Sequence, residues 1–336
     1  MCYDGGMNAP LRVSILGAGH IAGKTAAALA FLRGRGEIAT RAVASRDPVR
    51  AAELAARHGF ETSFGSYEAL AADPETDLVY VATPNTLHAE HAMLCLGAGK
   101  HVLCEKPFAE NGPRAAAVFA FARERGLFCG EAMWLRFLPA SAAIGEALRS
   151  GRIGEPRMIE AVFEVPVAQK ERIREPALGG GALLDLGVYP IAFALLHFGE
   201  DYADATGRAT LLPTGVDDQS AFSLGWTDGR IAACACSATA AGGAGGRIVG
   251  TEGAIDVPQL VRCEGFRVSP FGGGEPEDFS FPFECNGYEY EFRAAVRAIA
   301  AGLPECPEAP HSATLAALRA MDSLRASWGV RFPTDP

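Results

Sequence analysis

Short apolar runs and Ala-rich helical stretches take turns along the first 130 residues. LRVSILGAG (11–19) is an apolar run that ends in glycines, and IAGKTAAALAFLRG (21–34) behind it reads as a helix. EIATRAVASR (37–46) predicts a strand and DPVRAAELAARHG (47–59) a helix. DLVYVATP (77–84) stops at a proline, LHAEHAMLCLGAG (87–99) is a helix closed by glycine, and KHVLCEKP (100–107) is a further strand ending at proline. A strand covered on both faces is apolar nearly throughout. Such runs, interleaved with helices through short loops, predict a parallel sheet with crossover helices.

The pattern changes after about residue 150. RMIEAVFEV (157–165), ATLLP (209–213), QSAFSLGW (219–226), RIAACACSA (230–238) and GAIDV (253–257) predict strands with few helices between them. The Asp-Gly of WTDGR (226–230) marks a hairpin. Helices are expected near 140–149, 187–198, 287–301 and 312–328, and AAGGAGG (240–246) reads as a flexible loop. The fold class that follows is an α/β Rossmann domain over 8–130 and, over 131–336, an α+β domain with a large, mostly antiparallel, open-faced sheet. This division leaves the last helix free to pack back on the Rossmann domain.

Composition narrows the partners. The 336 residues are 49% hydrophobic and 21% charged, enough to fill two cores. A formal net charge of −10 argues against nucleic acid or an anionic membrane as the main partner. No apolar run approaches the roughly 18 residues of a membrane span. MCYDGGMNAP (1–10) lacks the basic and apolar regions of a secretory signal, so it reads as a disordered leader, with Met7 as an alternative start and the cytoplasm as the expected site. Nine scattered cysteines without CxxC or paired His/Cys spacing predict buried free thiols, with neither a disulfide framework nor a metal site.

Candidate chemistry begins at Gly17-Ala18-Gly19-His20-Ile21-Ala22, a GxGxxA after a strand and before a helix. The first glycine permits a tight turn, the second admits a pyrophosphate, and the third position packs helix on strand. Backbone N–H groups at His20, Ile21 and beyond then face the phosphates. At the end of the second strand, where an acidic residue would accept from a ribose 2′-hydroxyl, stand Ser45 and Arg46, with Arg50 one turn on. Guanidinium groups there suit a 2′-phosphate and favour NADP, while Asp47 reads as a helix cap. Thr83-Pro84-Asn85 with His88, and Glu105-Lys106, lie at the carboxyl ends of predicted parallel strands, where ligands of open α/β sheets bind. In GGGALLDLGVYPI (179–191), Asp185 and Tyr189 are four apart and share a helix face, and the triple glycine lets the loop run close to a ligand.

Four stretches, GAGHIA (17–22), ATPNTLH (82–88), CEKPFAEN (104–111) and GGGALLDLGVYPI (179–191), stand in the order and spacing of the Gfo/Idh/MocA oxidoreductases, which this chain resembles over nearly its whole length. Most members carry histidine where this chain has Tyr189. The tyrosine, EAMWLRF (131–137) and MDSLRASWGVRFP (321–333) resemble the branch of dimeric dihydrodiol dehydrogenases, D-xylose dehydrogenases and glucose-fructose oxidoreductase. The resemblance implies NADP, and hydride transfer from a carbinol carbon to the nicotinamide. It implies Tyr189 as acid/base, Lys106 as its partner, and Asp185 as holder of substrate hydroxyls or orienter of Lys106. Trp134, Arg136 and Phe163 would line the pocket, with Trp134 and Arg136 also reaching the cofactor. A nearby ammonium favours phenolate, bringing a phenol with pKa near 10 toward the range of general base catalysis.

The substrate expected is a sugar, first an aldose such as D-xylose, or else a trans-1,2-dihydrodiol. A non-catalytic NADP-binding sensor on the same fold is the reading from another class, since fold does not fix function. An open sheet face left in water predicts a homodimer or dimer of dimers through the C-terminal sheet.

Overall fold

The structure, a computed structural model, describes residues 9–335. Residues 1–8 of the expected leader, with Met7 and Cys2, lie outside the described residues. The chain forms two compact units. One comprises the chain through Ala109, Pro113–Trp134 and Glu284–His311; the other comprises Glu110–Gly112, Leu135–Phe283 and the chain from Ser312.

The first unit alternates β1 (Arg12–Leu16), α1 (His20–Gly34), β2 (Ala39–Ala44), α2 (Pro48–His58), β3 (Thr62–Phe64), α3 (Tyr67–Ala71), β4 (Leu78–Val81), α4 (His88–Gly97), β5 (His101–Glu105), α5 (Gly112–Glu124) and β6 (Cys129–Ala132). Its six strands are parallel, in the order β3-β2-β1-β4-β5-β6. Leu78, Val79, Tyr80, Val81, Val102 and Leu103 are fully buried, as central strands covered on both faces require. The strand order reverses beside β1, so the loops after β1 and β4 diverge there and leave the crevice in which such sheets take ligands.

The second unit holds α6 (Pro139–Arg149), β7 (Pro156–Glu164), α7 (Glu171–Arg174), a π-helical turn (Leu183–Gly187), α8 (Val188–Phe198), and strands β8 (Asp204–Leu211), β9 (Asp217–Gly225), β10 (Ile231–Ser237), β11 (Gly246–Gly250), β12 (Gly253–Val257), β13 (Gly265–Pro270) and β14 (Glu277–Ser280). These form an eight-stranded sheet, β14-β13-β12-β11-β7-β10-β9-β8, antiparallel except between β7 and β10. The β9–β10 hairpin closes at WTDGR, where Trp226 N donates to Arg230 O at 2.9 Å and Gly229 takes φ +90°.

On β9, Ser220, Phe222 and Leu224 are buried while Ala221 is exposed, the alternation of a sheet covered on one face. The π-turn and α8 pack on β7 and β10. Met158, Leu211 and Ile231 remain exposed apolar residues of the sheet.

Two expectations need correction. Pro176–Phe198, 23 residues, is long and apolar enough by length and composition to cross a membrane. It is mostly buried and serves as the core segment of the second unit. The Gly-rich stretch 240–246 is no loose loop: Glu164 N donates to Gly243 O at 2.7 Å and Val162 N to Gly245 O at 2.9 Å, which extends the ladder along β7. Helix α9 (Glu289–Ala300) groups with the first unit and packs on α1, and α10 (His311–Trp328) groups with the second unit beyond its first residue. Eight cysteines are described, all free, and Cys285 alone of them is exposed.

Candidate cofactor and active-site residues

In the first unit the turn after β1 depends on glycine at one position and openness at another. Gly17 adopts φ +118°, and a Cβ there would lie 2.6 Å from the carbonyl oxygen of Ala82. Its N–H donates to Ala44 O at 2.8 Å, which ties the turn to β2. A Cβ on Gly19 would meet nothing within 4 Å, while Ala22 is fully buried against the sheet. Gly19 caps α1 without a side-chain bond, and the first turn of α1 carries no acidic residue. The N–H groups and positive end of the helix, at exposed His20 and half-buried Ile21, are therefore available to an anion. These residues fit a dinucleotide pyrophosphate.

The end of β2 disposes of its polar groups locally. The Ser45 hydroxyl accepts from Asp47 N at 3.1 Å, and Asp47 Oδ1 accepts from Val49 N at 3.0 Å and Arg50 N at 3.2 Å. Asp47 is thus the cap of α2, as its position predicts. Arg46 and Arg50 are exposed, and Arg50 Nη2 donates to Ala18 O in the glycine turn at 3.1 Å. That bond lays one guanidinium against the turn.

The loops after β4 and β5 are joined by His88. Its ring is 2% exposed, with Nδ1 2.8 Å from Pro107 O and Nε2 2.8 Å from Thr83 O. Burial pushes its pKa down to about 4 against the pull of both carbonyls, so the ring is neutral at pH 7 and donates from one nitrogen only. The Thr83 hydroxyl bonds the His91 ring at 2.9 Å. Pro84 is exposed and Asn85 half-buried.

Glu105 is buried. Its carboxyl accepts from the Tyr80 hydroxyl and, at 3.1 Å, from the backbone N–H of Lys106. Burial raises its pKa. Glu105, expected among the cofactor contacts, is therefore occupied in setting the turn that presents half-buried Lys106. Trp134 is buried and stacks on Tyr288 at 4.6 Å and 11°. Neither Tyr80 nor Tyr288 is singled out by a sequence motif.

In the second unit the π-turn and α8 carry Asp185 and Tyr189. Tyr189 is 7% exposed and meets the Phe163 ring edge-on, centroids 5.4 Å apart. Asp185 Oδ1 pairs with Arg172 Nη1 at 2.6 Å. Arg172 belongs to KERIR (170–174), a run of alternating charge that carries no motif and gives no warning of this contact. Arg136 is buried, and His197 stands close enough for the guanidinium charge to help burial hold that imidazole down, at about 3. The triple glycine serves a different end from the one expected. A Cβ on Gly180 would lie 2.7 Å from Ile173 O, and one on Gly181 would collide with the Asp217 carboxylate, so the close approach is to the protein itself.

A family model described as "Oxidoreductase family, NAD-binding Rossmann fold" matches residues 11–132, and a GFO/IDH/MocA C-terminal domain model matches residues 141–256. The chain is 35% identical over 303 residues to a trans-1,2-dihydrobenzene-1,2-diol dehydrogenase of Danio rerio, covering 88% of this chain and 90% of that protein. It is 34% identical over 336 residues to the Homo sapiens enzyme of the same name, covering 97% and 99%. A solved 3-ketoreductase from Actinomadura kijaniata, in complex with NADP and TDP-benzene, superposes with a TM-score of 0.82 at 30% identity, covering 94% of this chain and 97% of that one.

Proposed function

The chain belongs to the Gfo/Idh/MocA oxidoreductases, nicotinamide-dependent enzymes of sugars and diols, and from that premise we propose that it oxidises a cyclic vicinal diol with NADP. The observation that carries the cofactor choice is the end of β2. Ser45 and Asp47 are spent on local bonds, and the groups left facing outward are Arg46 and Arg50, two cations for a 2′-phosphate.

NADP supplies the hydride acceptor. Tyr189, as phenolate, takes the hydroxyl proton while the carbinol C–H bond gives up its hydride, so the diol becomes a hydroxyketone. Lys106 is the cation of the same reaction, favouring phenolate over phenol. Asp185, shared with Arg172, receives a substrate hydroxyl. Trp134 and Phe163 offer apolar surface to the ring that bears the hydroxyls. The relatives at 34–35% identity are named for a trans-dihydrodiol, which moves that substrate ahead of the aldose as first choice. An aldose such as D-xylose presents the same pair of hydroxyls and stays as the second reading.

The test is absorbance at 340 nm with purified protein, NADP or NAD, and a panel of trans-dihydrodiols, aldoses and inositols. Turnover of a dihydrodiol that is faster with NADP and lost in Tyr189→Phe supports the proposal. Turnover of aldoses alone would replace the substrate. NADP binding without turnover anywhere on the panel would favour a sensor.

We also propose a homodimer through the sheet of the second unit, supported by the exposed Met158, Leu211 and Ile231 on its strands. Sedimentation as a monomer at micromolar concentration would refute it.

A further inference from the structure

We infer that Asp217 is a positioning residue for the reaction, setting the helix on which Asp185 and Tyr189 stand; this rests on the reading of Tyr189 as the acid/base. Asp217 opens β9, 32 residues beyond Asp185 in sequence, and is 1% exposed. Its Oδ2 accepts from the backbone N–H of Leu183 at 2.6 Å. Leu183 begins the π-turn, where a backbone N–H has no partner within the helix. Asp217 therefore acts as a cap delivered from the sheet. Its other oxygen faces Gly181, whose φ of +115° and lack of a Cβ let the loop wrap the carboxylate.

The far end of the same turn is seated as closely. A Cβ on Gly187 would come within 3.0 Å of Cys236 Sγ on β10, and that sulfur is bonded to the Ser220 hydroxyl at 3.2 Å. The five-residue π-turn is thus bonded at its first residue by Asp217 and packed at its last close against Cys236. Asp185 lies inside the turn and Tyr189 two residues past its end. A π-turn holds one residue more than an α-turn. Relaxing it to α geometry would rotate Asp185 against Tyr189 by about one residue step, roughly 100°. The acceptor on Asp217 opposes that relaxation, so its contribution is hydrogen-bond geometry rather than charge.

The experiment compares Asp217→Asn, which keeps an acceptor of the same length, with Asp217→Ala and Asp217→Ser, which do not reach. Amide hydrogen exchange is read on the peptide over 179–189, together with kcat, KM, the pH profile of kcat and the NADP dissociation constant. The Ala and Ser variants should exchange at least tenfold faster in that peptide alone. They should lose at least tenfold in kcat with a displaced pH profile, and keep NADP affinity within twofold. Asn should restore exchange, rate and profile to within about threefold. If Ala does not fold, Ser and Asn carry the comparison.

Unchanged exchange in a folded Ala or Ser variant, or an Asn variant as impaired as they are, would overturn the inference. Tyr189→Phe, run beside them, separates the two readings. If it keeps kcat, the role of Tyr189 falls and the inference with it. If it is inactive while Asp217→Ala keeps kcat, the inference falls alone.

Discussion

The carboxyl of Asp217 makes the stability of this protein depend on pH in a direction opposite to that of most acidic groups. Burial pushes its pKa from an ordinary 3.8 up to about 6, even though Leu183 N–H and the more distant Arg325 favour the charged form. The fold therefore prefers the protonated acid. The stabilisation is complete below the unfolded pKa and is lost as pH rises through about 6.

A displacement of that size corresponds to about 3 kcal/mol, at roughly 1.4 kcal/mol per pKa step. Asp217→Asn removes the titration while keeping an acceptor for Leu183. Its melting temperature relative to wild type should therefore climb from the unfolded pKa of 3.8 to the folded pKa of about 6 and level off above it. At about 2–4 °C per kcal/mol for a unit of this size, the full excursion is roughly 6–12 °C, and a little under half of it falls above pH 5. Buried histidines act in the other direction but are present in both proteins, so they cancel in the difference. Differential scanning fluorimetry at half-unit pH steps measures it. A gap between variant and wild type that is flat from pH 5 to 8 would refute the argument, because a buried carboxylate that costs nothing to ionise is not buried as described.

Arg46→Ala and Arg50→Ala should each raise the KM for NADP about five- to tenfold and leave that for NAD within twofold, since an exposed charge-assisted contact gives roughly 1 kcal/mol; initial rates with both nucleotides check this. Gly17→Ala should lower stability by more than about 2 kcal/mol, because φ +118° and the Ala82 carbonyl both oppose a side chain. Gly19→Ala, with open space around it, should melt within about a degree of wild type and still lose nucleotide affinity, as read by fluorescence titration. His88, depressed from 6.5 to about 4, contributes stability that is whole above pH 6.5 and lost as pH falls through 4. That amounts to about 3 kcal/mol, so wild type should lose more urea resistance over this window than His88→Gln.

How much of this was legible depended on whether a residue's partner lay nearby in sequence. The β1-turn-α1 unit is written in consecutive residues, so Gly17, Gly19 and Ala22 can be placed without a structure. Asp47 is equally local, bonding two and three residues ahead. Strands buried on both faces announce themselves by composition, as β4 and β5 do. Edge strands do not: β8 begins at Asp204 with mostly exposed, polar residues, so its apolar end at 209–211 was the only part to give a signal. Three-residue β3 is shorter than any periodicity, and the glycines at 242, 243, 245 and 246 conceal backbone pairing because they have no side chains to alternate. The long apolar segment ending at Phe198 escaped a count of uninterrupted residues because Asp185 divides it.

The same contrast runs through the candidate site, and it follows chemical role. Lys106, Asp185 and Tyr189 stand in compact motifs because each lies within or directly after the element that presents it. The groups that hold them stand elsewhere: Tyr80 is 25 residues from the Glu105 it bonds, and Asp217 is 34 residues from Leu183. Both pairings place a buried carboxyl against the backbone N–H of a segment that carries a residue proposed to react, Glu105 on Lys106 and Asp217 on Leu183. Both carboxyls have pKa values raised by burial, so each is kept inside at a cost. A backbone N–H can be satisfied in many ways without a buried acid. Two such acids retained behind Lys106 and behind the turn before Tyr189 indicate that the orientation of these segments, beyond their mere formation, is what the interior polar groups secure.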